Sequence, residues 1–371
     1  MRYGFCGPHE APAVDCKVWC AFLLFLLMGS SPAHAGGQAA SAGIGNQASG
    51  DSAKLSRLLE VQTATISSRY RYMEDSQGAV VENQCQYQDI FRGRLRLDNR
   101  GRYSINAGVA SGRSFTGGWN STSWGTGKPV SNHYLKQLYF SGLPAPGIEF
   151  QYGGLYLLRG ESTEITTYDN DGYIVGQRLS LKRPGELFFD EVSVTYGYLG
   201  DETQPNLNKR FHRLKHSNYH QWLVVKKLGS RAGLSAEYTF NDGVETLRQA
   251  VRVLTPELRI VDLLRFENYQ RTDVHPDFGF AIVAEKTLRR RLTIGGGYGD
   301  IDRDYGGLNA DRWVSGRRLF ATAAFVVCPE FTISAFATRA VKTGFPIDNA
   351  TRVDIVFSYH LLETLKRTSL F

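Results

Sequence analysis

"IFRGRLRLDNRGRYSINAGVA", residues 90–110, sets an arginine at alternate positions of a run whose other positions are apolar or glycine. Arg92, Arg94 and Arg96 interleave with Phe91, Gly93, Leu95 and Leu97. After the turn-like "DNRG" the alternation resumes, with Tyr103, Ile105, Ala107 and Val109 set against Ser104, Asn106, Gly108 and Ala110. A period of two marks a β-strand with two unlike faces. Here one face suits an apolar medium and the other a wet, charge-tolerant one.

The same period recurs down the chain. It predicts sixteen strands, near 61–72, 87–97, 102–110, 134–141, 147–159, 177–182, 187–199, 219–227, 232–240, 244–254, 258–268, 277–286, 291–298, 314–327, 331–339 and 351–360. The segment 244–254, "VETLRQAVRVL", also fits a helix. Connectors after even-numbered strands are short: "DNRG", "GLPAPG", "KRPGE", "LGSRAG", "TPE", "KTLRR" and "CPE". Those after odd-numbered strands are mostly long and polar, at 73–86, 111–133, 160–176, 200–218, 269–276, 299–313 and 340–350, with "NDG" at 241–243 the exception. Tight turns at one end and long loops at the other are the habit of a barrel threaded through a membrane. Aromatic residues near strand ends, among them Tyr139, Tyr198, Trp222 and Phe240, fit interfacial girdles. The expected fold is all-β: an antiparallel transmembrane β-barrel of about 16 strands. In it the leucine side of strand 87–97 faces lipid and the arginine side a wet lumen.

The N-terminus fits export. "AFLLFLLMGSSPAHA", residues 21–35, is a short apolar stretch followed by small residues and an A-x-A site, as in a secretory signal cleaved after Ala35. Residues 36–60 read as a flexible leader with a short helix in "DSAKLSRLLE", and 61–371 as the barrel. Beyond Ala35 no run of eighteen apolar residues occurs, so no transmembrane helix is expected. Only Cys85 and Cys328 follow the signal, too few for a disulfide scaffold. The expected topology sends them to opposite ends of the barrel, Cys85 in the first outer loop and Cys328 in a turn, so no bond between them is expected. The formal charge of +7 favours anionic partners but says nothing about fold.

Taken together, these features resemble the bacterial outer-membrane porins. The resemblance covers nearly the whole chain beyond the signal and includes the terminal Phe371. It departs from the family where "LETLKRTSLF" follows the last strand-like segment, "VDIVFSYHL". It implies a passive outer-membrane pore for small hydrophilic solutes, with lipid and lipopolysaccharide as surroundings and trimers as the usual assembly. It also implies that the third outer loop folds into the barrel as a constriction. That loop here is "GESTEITTYDNDGYIVG", with Glu161, Glu164, Asp169 and Asp171. By alternation the facing wall carries Arg69, Arg71, Arg92, Arg94, Arg96 and Arg102. Acid opposite guanidinium sets up a transverse field that favours polar solutes, with charged rings setting the ionic preference. The basic wall also resembles barrels that export anionic polysaccharide such as alginate, and a lumen plugged by loops would make a structural or adhesive barrel.

Other patterns are weaker. His212, His216 and His220 stand at helical spacing in "RFHRLKHSNYH", which would suit a transition metal only on a continuous helix. Asp300, Asp302 and Asp304 begin like a calcium loop, but the glycine comes one place late and no distal glutamate follows. Ser358 and His360 both point to the lumen side, and no G-x-S-x-G motif is present, so no enzymatic chemistry is expected. No cofactor, metal or nucleic-acid partner is implied.

Overall fold

The computed structural model describes residues 58–368 except 113–117, 164, 167–172, 185–187, 200–206, 273–277, 303–315 and 343–345. The expected signal, most of the leader and Phe371 lie outside the described residues. The strands are β1 (Leu59–Glu74), β2 (Val80–Arg96), β3 (Tyr103–Ser111), β4 (Asn120–Gly125), β5 (His133–Ala145) and β6 (Ile148–Tyr156). Next come β7 (Tyr173–Lys182), β8 (Glu191–Tyr198), β9 (Tyr219–Leu228), β10 (Ala232–Asn241), β11 (Val244–Leu254) and β12 (Leu263–Arg271). The last are β13 (Phe278–Leu288), β14 (Leu292–Ile301), β15 (Gly316–Cys328), β16 (Phe331–Lys342) and β17 (Thr351–His360).

Leaving out the short β4, sixteen antiparallel strands form one closed barrel, each pairing with its neighbours in chain order and β17 returning to β1. Closure pairs the last strand with the first, a requirement in hydrocarbon where water cannot satisfy an open edge. The segment 244–254 is strand and not helix. Its inward residues are Thr246, Arg248 and Ala250, while Val251 is exposed outward.

Side chains divide by alternation. In β13, Phe278 and Ile282 are exposed on the outside, whereas Ala281 and Val283 are buried on the inside. Phe91, Leu95, Ile105, Val109, Leu179, Leu319, Phe325 and Phe357 continue the outer apolar surface. The buried polar side chains, among them Arg71, Gln86, Asn106, Arg178, Thr195, Glu237 and Asp354, stand on the inner face. A transmembrane barrel divides its residues in this way, the apolar side meeting lipid and the polar side the lumen.

Three elements differ from expectation. β1 and β2 extend upward to a connection of only residues 75–79, so 73–86 is not a long loop. Cys85 therefore sits within β2, opposite Tyr70, and not in a loop; it and Cys328 are both free. The raised tip is braced by β4, whose residues pair with Gln84, Gln86 and Tyr87 on the edge that β3 leaves open. Finally, β17 ends at His360 and the chain turns into helix α2 (Leu361–Arg367). Tyr359 bonds to Thr364 at 2.6 Å, and Arg367 pairs with Glu330 of the β15–β16 turn at 2.8 Å.

Two predictions follow from the wall. Ile282→Arg puts a charge on the lipid face and should cost about 2–4 kcal/mol if the site is near mid-depth. Thr322→Arg, on the lumen side of β15, should cost well under half of that; refolding titrations in lipid vesicles compare them. At the tight-turn end, Asp262 accepts from Lys286 Nζ at 2.6 Å and from the Thr287 N–H at 2.8 Å, and these bonds hold its carboxyl below the usual range. A depressed carboxyl pKa adds stability that is complete above the unfolded value of about 4 and is lost as pH falls through the folded one. Asp262→Asn should accordingly lower the melting temperature at neutral pH, and the difference from the parent should close as pH falls through the depressed folded-state value.

Candidate functional site: the lumen and its inner loop

The connection between β6 and β7 leaves the wall at Leu157 and, through its described residues, runs along the inside of the barrel. The Leu158 carbonyl accepts from Gln221 Nε2 of β9 at 2.7 Å. The Glu161 N–H donates to Ser235 Oγ of β10 at 2.8 Å, and its carboxylate pairs with Arg252 Nε of β11 at 2.6 Å. Glu267 of β12 receives the backbone N–H and hydroxyl of Thr163 and, at 3.0 Å, the hydroxyl of Thr166. Arg248 Nε donates to the Thr166 carbonyl at 2.6 Å.

Two sequence features make this course feasible. Gly160 lies so close to the wall that a Cβ there would come within 2.4 Å of Ser235 Cβ, so any larger residue would push the loop off. Ile165 enters a buried apolar cluster of Tyr269, Ala281, Val283, Ile301 and Phe320, with Phe336 packed beside it. Such a cluster is out of place on a wet wall unless something apolar covers it. Burying the isoleucine there is worth about 1.5–3 kcal/mol. Glu267 is fully enclosed, so the three loop groups supply the hydrogen bonds that a buried carboxylate requires.

The six arginines singled out in the sequence occupy four environments. Arg69 and Arg71 are each 4% exposed. Both reach Asp354 of β17, Arg71 Nε at 3.0 Å, and Arg69 lies 4.2 Å from the ring centre of Trp119. Arg352 bonds to the same carboxylate, and Arg318 Nη2 donates to the Asn349 carbonyl of the β16–β17 connection. Arg94 and Arg96, with side chains 40% and 43% exposed, stand beside one acid, Glu60. Arg92 borders a small recess with Lys136 and Gln137. Arg102 is exposed in the β2–β3 turn, one residue before β3 begins.

Of the loop acids, Glu161 pairs with Arg252 and with none of these six; Glu164, Asp169 and Asp171 lie outside the described residues. Sequence reasoning missed Arg248, Arg252 and Glu267, which hold the loop. Their inward parity in β11 and β12 was visible once 244–254 was taken as strand, but their partner was not. It also passed over Arg178, whose guanidinium bonds to Thr195, Gln151 and the Tyr156 carbonyl.

The weaker candidates do not assemble. His212 lies in a 3-10 helix (Phe211–Lys215), His216 at its end and His220 in β9. His220 instead meets Tyr196 edge-on, with ring centres 4.2 Å apart. Asp300 pairs with Arg317, Asp302 accepts from the Phe278 N–H, and Asp304 lies outside the described residues. Ser358 bonds to Ser67, while His360 is 3.4 Å from Thr65 Oγ1. Among the described residues no group of three metal-binding side chains occurs.

Solved structures of similar shape come from one architecture. OprB of Pseudomonas putida, in its high-pH form, is matched with a TM-score of 0.55 and 8% identity, over 83% of this chain and 96% of that one. Salmonella typhi OmpF, in complex with daunomycin, is matched with a TM-score of 0.54 and 10% identity, over 81% and 97%. A mutant of Rh. blastica porin gives a TM-score of 0.51 and 7% identity, over 82% and 100%. No protein-family model matches the sequence, and no curated protein does. At these identities the likeness is one of fold: the chain folds as a porin-type transmembrane β-barrel.

Proposed function

We propose that this chain is a passive outer-membrane diffusion pore for small hydrophilic solutes, with some preference for anions. The observation that carries the reading is the inner course of the β6–β7 connection. Docked on β9 to β15, it narrows the lumen from one side and leaves the opposite wall, with Arg92, Arg94 and Arg96, free to meet a passing solute. Glu161 is neutralised by Arg252, so the facing acids in this reading are Glu164, Asp169 and Asp171. Arg94 and Arg96 share Glu60, which leaves an excess of positive charge on their side. Such a wall attracts anions, while the narrow passage favours polar over apolar solutes.

A second reading has its own support. Trp119 covers Arg69 and the Asn349 carbonyl meets Arg318, so other connections besides the third also turn inward. Carried further, this would give a plugged barrel that serves a structural or adhesive role.

Planar-bilayer recording of the folded chain under a salt gradient decides between them. The pore reading expects stable conductance steps with a reversal potential favouring anions. Replacing Arg92, Arg94 and Arg96 by serine should reduce the anion-to-cation permeability ratio by about twofold or more. Ile165→Asp should release the inner loop, raise conductance, and open the segment around Gly160 to added protease. Silence from a barrel shown to be folded and inserted overturns the pore and favours the plug.

A further inference from the structure

Three neighbouring turns at the tight-turn end repeat one composition. The β9–β10 turn carries "KKLGSR", residues 226–231, the β11–β12 turn "PELRI", 256–260, and the β13–β14 turn "KTLRRR", 286–291. Each sets an exposed leucine near arginine: Leu228, Leu258 and Leu288 are 50%, 51% and 41% exposed, and Ile260, next to Arg259, is 84% exposed. The turns are tied into one arc. Arg231 pairs with Glu257 at 2.5 Å and its carbonyl accepts from the Leu254 N–H at 2.7 Å, while Lys286 reaches Asp262 at 2.6 Å. Thr255 closes the middle turn, its N–H donating to the Asp262 carbonyl at 2.8 Å and its hydroxyl to the Val261 carbonyl at 2.9 Å.

The acids of the arc are already engaged. Asp190 lies 3.8 Å from Lys226, and Glu257 and Asp262 hold Arg231 and Lys286. Glu285 shares the lumen face of β13 with Val283, and Glu186 of the β7–β8 turn lies outside the described residues. Lys227, Arg259, Arg289, Arg290 and Arg291 are exposed and pair with no described acid. Two of them sit in a strained place: Arg289 and Arg290 have φ of 51° and 58°, and the Arg291 N–H donates to the Leu288 carbonyl at 3.2 Å. A turn with both central residues in the left-handed conformation favours Asn-Gly. Two arginines are therefore kept at this tip against the local backbone preference.

Depth places the arc at a membrane surface. β9, β10 and β14 have 10 residues and β13 has 11, about the length a tilted strand needs to cross the hydrocarbon. At the other end Tyr196, His220 and Phe240 are register partners on β8, β9 and β10, an outer aromatic row of the kind that marks headgroup depth. Leu228 stands eight residues below His220 on the same face of β9. That is roughly 20 Å at the usual tilt, close to the ~25 Å height of the apolar band. Lys286 is in register with the outward Ile294, so its pair with Asp262 also faces outward and marks the edge of the hydrocarbon, where charge becomes tolerable.

From this placement we infer that the arc of the β9–β10, β11–β12 and β13–β14 turns docks anionic glycerophospholipids of the adjoining leaflet. Arg259, Arg289, Arg290 and Arg291 meet the phosphate groups, and Leu258 and Ile260 dip among the acyl chains. Lipid fits better than a soluble anion, because an inorganic ion would give the exposed leucines and Ile260 nothing to bury against. The inference rests on the membrane-spanning wall and not on whether the lumen conducts.

The test is native mass spectrometry of the full folded barrel in detergent, titrated with phosphatidylglycerol and with phosphatidylcholine of the same acyl chains. The parent should bind phosphatidylglycerol about tenfold more tightly. Arg289→Asn combined with Arg290→Gly gives the turn the residues its backbone favours while removing two charges. That variant should melt no lower than the parent, yet lose about tenfold in phosphatidylglycerol affinity, a few-fold per surface cation. Ile260→Ser should weaken binding about fivefold with every cation in place. Lys209→Gln in helix α1 (Leu207–Arg210) combined with Lys215→Gln in the 3-10 helix removes two charges at the long-loop end and should leave binding unchanged. Retained heat-modifiable migration shows that each variant is folded. Equal affinity for the two lipids, unchanged affinity in the Arg289 and Arg290 variant or in the Ile260 variant, or an equal loss in the Lys209 and Lys215 variant would overturn the inference. Displacement by inorganic phosphate at similar concentration would overturn it in favour of a plain phosphate site, and displacement by polyglutamate in favour of an acidic protein partner.

Discussion

Strand β1 has two hydrogen-bonding edges, and the second finds its partner only at the far end of the chain. Ten residues of β1, from Thr65 to Glu74, pair in unbroken register with β17 from His360 to Thr351. Arg71 and Asp354 are direct partners across this seam, and Arg69 and Arg352 turn to the same carboxylate. A slip of one residue would send the arginines outward into lipid and the apolar face inward. The buried charges therefore hold the register through the cost of the alternative more than through net attraction, since desolvation offsets much of their pairing energy. Removing Asp354 alone would leave three guanidinium groups around a vacated site, a change that typically costs about 3–5 kcal/mol. Everything enclosed by the wall, including the docked inner loop, presupposes this closure.

Below the seam β1 runs on past its partner. Residues 59–64, apart from Gln62 at a bulge, pair with β2 but not with β17. An open edge of that length is a template for unwanted pairing. Helix α2 begins where β17 stops, tied back by Tyr359 to Thr364 and by Arg367 to Glu330. The described part of the segment that made the C-terminus look unlike the resembled family, up to Thr368, is thus held against the barrel's lower rim.

Much of the wall was legible in the sequence because alternation survives wherever one face meets lipid. Phe278, Phe280 and Ile282 could be assigned without any knowledge of their neighbours. The tip of β2 was not legible: in "VVENQCQ" Glu82, Gln84 and Gln86 on the inner side alternate with Val81, Asn83 and Cys85, so neither face is consistently apolar and the contrast that reveals a strand is gone. The six residues of β4 fail for a related reason, their pairing with β2 depending on how far β3 happens to extend. The inner loop was legible as a loop with acids, but its anchorage was not. Which wall it reaches depends on the curvature of the barrel, and the small inward residues that admit Ile165 look like ordinary strand positions when read one at a time. The choice of Arg252 as the partner of Glu161, and not the early arginines, is a fact of three dimensions.

The arginines of the interior fall into two electrical classes. Arg69, Arg71, Arg318 and Arg352 are almost completely enclosed by protein, whereas Arg94 and Arg96 lie open to the lumen. Mobile ions collect around open charges and weaken their reach within a Debye length, about 8 Å at physiological ionic strength. Enclosed charges are shielded far less, because counter-ions cannot approach them and the surrounding medium polarises weakly. As ionic strength rises, the field inside the barrel should therefore lose the contribution of β2 and keep that of the β1–β17 seam. The barrel carries, in effect, one set of charges that brine can silence and another that it cannot.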